Sequence, residues 1–187
     1  MNKIIAFVGM PGAGKTEAAK YFQQKGFLYL RFGQIVLDEA IKRGQVNEKA
    51  EREIRNGLRE KYGMGAMAKL SIPQLDKLLK RGDVVVDDLY SWDEYKILKE
   101  KYGGSGVMVV AVCASPKIRY QRLVSRHFDP KKDKKALYRS LTLEEAKSRD
   151  YDQIENAAQG GPIAMADYFV VNEGTVKDLY SRLDEIL

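Results

Sequence analysis

The apolar positions of the chain follow two rhythms. Continuous apolar runs stand at Ile4-Ile5-Ala6-Phe7-Val8, Phe27-Leu28-Tyr29-Leu30, Val84-Val85-Val86, residues 107–113 and Tyr168-Phe169-Val170-Val171. Runs this short and unbroken predict strands covered on both faces. Between them apolar residues recur three and four apart among charges, which predicts helices. One helix runs to about Gln24, with Gly26 as its stop, and another spans residues 34–43, carrying Ile35, Val36, Ala40 and Ile41. Asn47 caps a third, whose Ile54 and Leu58 stand amid so many charges that it reads as largely solvated. Residues 66–80 continue helically, with Pro73 bending them. Ser91-Trp92-Asp93-Glu94 and Thr142-Leu143-Glu144-Glu145 carry the capping-box spacing and open two more helices. Ser115-Pro116 opens a helix placing Arg119, Arg122 and Arg126 on one face. Gly103-Gly104-Ser105-Gly106 reads as a flexible turn, His127-Phe128-Asp129-Pro130 as a break, and Gln159-Gly160-Gly161-Pro162 as a loop. A last helix aligns Leu179, Leu183 and Leu187. Strands alternating with helices predict one α/β domain over 1–187, with a parallel sheet layered between helices.

Ligands in such sheets sit beyond the carboxyl ends of the strands. Gly9-Met10-Pro11-Gly12-Ala13-Gly14-Lys15-Thr16 lies there, directly after the first strand and before a helix. Strand, G-x-x-x-x-G-K-T, helix is the P-loop in its structural context. Gly9, Gly12 and Gly14 let backbone approach a phosphate, and the loop N–H groups and helix start face the anion. Lys15 reaches the outer phosphates of a nucleoside triphosphate, and Thr16 ligates Mg²⁺. Asp87 ends the third apolar run, where a Walker B carboxylate stands; a plain strand-end acid is the alternative.

Composition narrows the picture. With 44% apolar and 31% charged residues the chain is ordinary for a globular domain, and no run approaches a membrane span. Cys113 is the single cysteine, so no internal disulfide forms; it reads as a buried small hydrophobe, and the expectation is a cytoplasmic chain without a signal peptide. The net charge of +6 suits steering of a polyphosphate, and the interleaving of acids with bases favours that over nucleic acid. The exception is Lys131-Lys132-Asp133-Lys134-Lys135. His127 is the lone histidine, too few for a histidine-rich metal site.

The P-loop, residues 84–91, 114–123, 141–150 and the Ala166-Asp167-Tyr168 to Asn172-Glu173-Gly174-Thr175 stretch resemble the nucleoside monophosphate kinase and dephospho-CoA kinase group, in particular its nucleotide kinase-related branch. The resemblance covers essentially the whole chain. It implies a five-stranded parallel sheet ordered 2-3-1-4-5, a lid at about 126–142 and an acceptor-side helical region at about 33–80. It implies ATP and Mg²⁺, the latter held by Thr16 and Asp87. Donor contacts fall to Gly9, Pro11, Gly12, Ala13, Gly14, Lys15, Thr16 and Glu17, with Asn172 and Gly174 beside the adenine. Arg122 and Arg126 face the transferred phosphoryl group alongside Lys15 and Asp87, a solvated helix face being the alternative; Arg149 is a second candidate.

The chain also departs from that group. Gln34 and Leu37 stand where adenylate kinases carry an acid and an acceptor-gripping arginine, and Arg31 compensates from a different angle. Tyr90 replaces a frequent arginine, and Asp88 a common glycine. Tyr90 and Trp92 read as core packing before base stacking. These departures speak against AMP as acceptor. The expectation is an ATP- and Mg²⁺-dependent phosphotransferase acting on a small acceptor, a nucleoside monophosphate or dephospho-CoA leading. A slow ATPase switch and a polynucleotide kinase or nucleic-acid-binding ATPase are the alternatives. Oligomeric state stays open.

Overall fold

A computed structural model describes residues 2–103, 106–127, 129, 131–138 and 140–187. Its elements are β1 (Ile4–Val8), α1 (Lys15–Gln24), β2 (Leu28–Arg31), α2 (Gln34–Lys42), α3 (Glu48–Tyr62), α4 (Ala66–Leu79), β3 (Val84–Leu89), α5 (Trp92–Tyr102), β4 (Val107–Cys113), α6 (Pro116–Val124), α7 (Leu143–Glu155), α8 (Gly160–Ala164), β5 (Tyr168–Val171) and α9 (Val176–Asp184). The strands pair in parallel in the order β2-β3-β1-β4-β5. This is the architecture that the resemblance implied, with the P-loop at the end of the central strand.

The alternation of β1 divides the core in two. Ile4, Ala6 and Val8 face Val36, Ala40, Leu75 and Leu98 from α2, α4 and α5. Ile5 and Phe7 face Ala18 and Phe22 of α1 and Leu179 and Leu183 of α9. The sheet thus fixes where α1 begins and where β3 ends.

β3 carries a bulge. Ala6 pairs with Val86, but Val8 pairs with Leu89, so β3 uses one residue more than β1. Asp88 takes up the extra length with φ 72°, a left-handed conformation costly for a residue with a Cβ. The bulge also turns two consecutive carboxylates, Asp87 and Asp88, towards the P-loop end of the sheet.

Both predicted capping boxes form, at Ser91 with Glu94 and at Thr142 with Glu145. Five expectations change. Residues 160–164 are a short helix, not a loop, because Pro162 sits where its missing N–H costs nothing. α6 ends at Val124, so Arg126 lies beyond the face that Arg119 and Arg122 share. α9 ends at Asp184, leaving Leu187 exposed, and Cys113 is only half-buried. α3 is not a solvated helix, since Glu48, Glu51, Arg55 and Arg59 are all buried. Gly104 and Ser105 of the predicted turn, and Phe128 and Pro130 of the predicted break, lie outside the described residues. The described residues of 126–142 form turns without helix or strand, tied back by Leu141 N donating to Leu123 O at 3.3 Å. Among the described residues no helix is long and apolar enough to cross a membrane.

Candidate active site

The P-loop is held from outside by its carbonyls. Lys15 Nζ donates to Gly9 O at 2.6 Å and Met10 O at 3.3 Å. Gln159 Nε2 also donates to Gly9 O, at 3.0 Å. Arg119 Nη1 donates to Pro11 O at 3.1 Å, Arg122 Nη1 approaches Gly12 O at 3.5 Å, and Asn172 Nδ2 donates to Ala13 O at 2.8 Å. With the carbonyls engaged outwards, the loop is preset as a concavity of N–H groups. α1 begins at Gly14 with no side-chain cap, so its first N–H groups are open to an anion. The glycines are obligatory here: a Cβ on Gly9 falls 2.2 Å from Val112 O, and one on Gly14 falls 2.2 Å from Asn172 Nδ2.

Asp87 is fully buried beneath this loop. Its Oδ2 accepts from Thr16 Oγ1 at 3.0 Å and Tyr29 Oη at 2.7 Å, and lies 3.6 Å from Arg31 Nε. Its Oδ1 has no partner among the described residues. A hydroxyl and a buried carboxylate with a spare oxygen are hard oxygen donors that suit Mg²⁺, which completes its shell with phosphates and water. Among the described residues no group of three or more acidic, cysteine or histidine side chains forms a metal cage. Asp88 Oδ1 lies 3.3 Å from Lys15 Nζ. Burial pushes the Lys15 ammonium down and the two carboxylates pull it back, leaving it below its ordinary value. Burial raises the Asp88 carboxyl, but Lys15, Arg31 and Arg149 outweigh it and hold the group at about 2.

A cleft of about 220 Å³ opens over the loop. Pro11, Gly12, Gly14, Lys15, Thr16 and Glu17 form its floor, and Arg31, Asp88, Arg126, Tyr138, Arg149 and Gln153 stand in its walls. Tyr138 Oη bonds Glu17 and Lys20, which seats the 126–142 segment on α1. Burial, then the nearby Arg149 and Arg31 charges, push the Arg126 guanidinium down. Such a cluster of cations gains most when an anion enters.

The expected residues divide cleanly. Pro11, Gly12, Gly14, Lys15, Thr16, Glu17 and Arg126 meet in the cleft, with Asp87 directly below. Gly9, Ala13, Arg122 and Asn172 shape the loop from behind it and are not among the cleft's walls. Gly174 stands beside Asp178 at the start of α9, where Thr175 and Asp178 form a capping box. Trp92 stacks on Tyr95 with ring centres 5.0 Å apart and packs against Gly161, so it belongs to the α5–α8 contact.

A second pocket adjoins the cleft and shares Arg31, Asp88 and Arg149 with it. Its further charged walls, Glu51, Arg55 and Arg59, come from α3. Sequence reasoning missed these residues because their periodicity is polar. Arg52, Arg55 and Arg59 do recur at helical spacing with Glu48 and Glu51, and that was the available signal. It also missed Asp150, which grips Arg119 through two bonds of 2.8 and 2.7 Å, and Gln159.

Comparisons fit this geometry. A family described as an AAA domain matches residues 5–153. A UPF0200 protein of Sulfurisphaera tokodaii is 35% identical over 185 residues, covering 99% of this chain and 96% of its own. A UPF0200 protein of Pyrococcus furiosus is 34% identical over 188 residues, covering 98% and 95%. Among solved structures, TT1252 from Thermus thermophilus superposes with a TM-score of 0.61 at 18% identity, over 99% of this chain and 96% of that one. Shikimate kinase from Acinetobacter baumannii, in complex with shikimate, gives 0.57 at 18% identity, over 100% and 93%. At that identity the likeness establishes the fold, which is P-loop kinase-like. The sequence identity across nearly the full length, together with the match over residues 5–153, makes the chain a member of the AAA-domain family of P-loop proteins and a relative of the UPF0200 proteins.

Proposed function

We propose that the protein is a nucleoside-triphosphate-dependent phosphotransferase, ATP and Mg²⁺ being the pair that its sequence resemblance implies, and that it acts on a small acceptor. The observation that carries this reading is the shared cleft: the P-loop with Thr16 and the cations Arg31, Arg126 and Arg149 all border one volume, and Asp87 lies directly beneath, bonded to Thr16. The loop N–H groups and Lys15 hold the donor phosphates. Thr16 and Asp87 would hold Mg²⁺, which when bound neutralises charge between the outer phosphates. An acceptor hydroxyl oxygen forms its bond to the terminal phosphorus as the bond to the bridging oxygen breaks; the nucleoside diphosphate leaves with that electron pair, and the hydroxyl proton is released to water. Lys15, Arg126 and Arg149 neutralise the charge that spreads over the transferred group. Asp88, held at about 2, stays ionised and orients an acceptor hydroxyl by accepting its hydrogen bond.

Residues 126–142 act as the lid, since Tyr138 and Arg126 reach the cleft from that segment. Closing it excludes water and suppresses hydrolysis. A slow ATPase switch needs no second pocket, and the arginine-lined pocket beside the cleft favours transfer over that alternative.

The test is diphosphate release from ATP and Mg²⁺ across nucleoside and deoxynucleoside monophosphates, dephospho-CoA and a 5′-hydroxyl oligonucleotide. Lys15→Ala serves as the blank. The expected result is one acceptor raising release well above background, with the phosphorylated product seen by mass. Removal of Lys15 should lower that rate at least a hundredfold, on the scale of losing a principal transition-state charge. Acceptor-independent release across the whole panel would replace the kinase reading with the ATPase.

A further inference from the structure

We infer that the pocket between α3 and α7 is an oxyanion site, and that it anchors the acceptor through a phosphate monoester. The inference rests on the phosphotransferase reading and adds to it the chemical class of the acceptor.

The pocket is built from buried donors in excess. Arg55 and Arg59 lie one turn apart on the same face of α3, 5% and 7% exposed. Arg149 enters from α7 and Arg31 from the end of β2. Internal acids engage part of this charge. Glu48 accepts from Arg55 Nη2 at 3.1 Å and from Arg149 Nη1 at 2.9 Å, Glu51 Oε2 stands 3.9 Å from Arg149 Nη1, Asp87 stands 3.6 Å from Arg31 Nε, and the Asp88 carboxylate faces Arg31 and Arg149. Much donor capacity is left over. Arg31 Nη1, Arg55 Nε, Arg59 Nε and Nη2, Arg149 Nε and Tyr90 Oη are buried with no hydrogen-bond partner among the described residues. Arg59 instead faces the Tyr90 ring, 4.9 Å from its centre. Buried guanidinium nitrogens without acceptors are expensive. Their presence in one pocket, beside a phosphoryl-transfer cleft, marks the place of an oxygen-rich anion.

Size and geometry select among anions. The free space is about 30 Å³. That is two or three times the minimum for one water, so the pocket takes a compact group and not a base or a sugar. Arginine forks match phosphate oxygens in pairs, and a phosphate dianion offers three acceptor oxygens where a carboxylate offers two. Arg31, Asp88 and Arg149 border both pockets, so an acceptor anchored here points its remaining atoms at the P-loop cleft. The site answers the absence of an acceptor-gripping arginine at Leu37: the charge comes from α3 and α7 instead.

The experiment is calorimetric titration of inorganic phosphate into protein already saturated with MgADP, so that the P-loop is filled. Wild type should bind phosphate at least tenfold more tightly than acetate. Arg59→Met keeps an unbranched stem over Tyr90 and removes the charge. It should weaken phosphate binding at least tenfold while MgADP affinity stays within twofold. Arg55→Met is the second variant, with the same expectation, should Arg59→Met not fold. Phosphate affinity unchanged in a folded variant, no phosphate binding beyond the nucleotide, or acetate binding as tight as phosphate would each overturn the assignment. The two readings separate cleanly. Failure of MgADP to bind wild type rejects the nucleotide reading. Phosphate is then titrated without nucleotide, where loss with Lys15→Ala but not with Arg59→Met places the anion in the P-loop and rejects the pocket.

Discussion

Glu94 shows how one buried side chain ties the fold to pH. It closes the capping box of α5 and is wholly inaccessible. Its Oε2 accepts from Tyr90 N at 2.8 Å and Ser91 N at 3.4 Å, and its Oε1 has no partner among the described residues. Burial pushes the carboxyl up to about 8 from an ordinary 4.5, against the pull of the Tyr90 N–H and Arg59; Asp88 adds to the rise. The folded state therefore holds a proton that the unfolded chain releases, and stability falls as pH rises from about 4.5 to 8. Glu94→Gln does not ionise and keeps a carbonyl oxygen for both N–H groups. It should melt near wild type at pH 5 and about 4–8 °C above it at pH 8.5, on the scale of 2 kcal/mol for a chain this long. Parallel melting curves at both pH values would show that Glu94 does not titrate in this window. Little of this residue's burial was legible beforehand: the S-x-x-E spacing announced the cap, but nothing local says that α4 and the arginine pocket seal it off. Asp88 was visible only as an odd residue for its place, because a positive φ is a property of the sheet's register and not of the residue.

At the scale of elements, the site depends on helices that never enter the cleft. Arg119 on α6 reaches three partners: its own Ala114 carbonyl at 3.0 Å, the P-loop Pro11 carbonyl at 3.1 Å, and Asp150 on α7. Tyr120 Oη adds a bond to Asp150 Oδ2 at 2.9 Å. Arg119 and Asp150 are both nearly inaccessible, their side chains 5% and 7% exposed. Removing one partner of such a pair strands a buried charge, at a cost of roughly 3–5 kcal/mol. Removing an exposed pair such as Arg43–Glu39 costs roughly 0.5 kcal/mol or less. Asp150→Ala should therefore lower the melting temperature by about 6–20 °C and also weaken MgADP binding, because Arg119 no longer fixes the loop at Pro11. Arg43→Ala should change neither. Equal melting temperatures for the two variants would remove the clamp. Strands, caps and the P-loop were legible in sequence because each follows a local rule. α3 was not: Glu48, Glu51, Arg55 and Arg59 share its buried side with Ala50 and Ile54, so a rule equating burial with apolar spacing assigns most of it to solvent. The arginines of the acceptor pocket were hidden for the same reason: Glu48 meets Arg55 two turns along its own helix, and only the approach of α7 to α3 brings it to Arg149.

Across the whole molecule, rigidity and adaptability are separated by depth. β1 is covered on both sheet faces and paired on both edges, with every residue buried. Its amides exchange only through global opening. Residues 126–142 stand at the other extreme. Their described part has no regular structure, packs on a small cluster of Leu123, Leu141 and Ala146, and carries the exposed lysines Lys131, Lys132, Lys134 and Lys135. Among the described residues, polar contacts press it onto the body: Tyr138 with Glu17 and Lys20, Gln34 Nε2 donating to Lys135 O at 3.4 Å, and Arg126 at the cleft wall. Each breaks at little cost, whereas a nucleotide in the cleft adds counter-charge beside Arg126 and beside the Lys15–Asp88 pair. Hydrogen exchange should consequently find β1, β3 and β4 unchanged by MgADP, and the amides of 131–138 and the start of α1 slowed several-fold. Replacing Tyr138 by Phe removes the bond to Glu17 and should speed exchange in 131–138 without ligand, while saturating MgADP restores most of the protection. If MgADP slows the P-loop amides but leaves 131–138 at their free rates, the segment does not close over the nucleotide, and exclusion of water from the cleft has to come from the acceptor side, through α3.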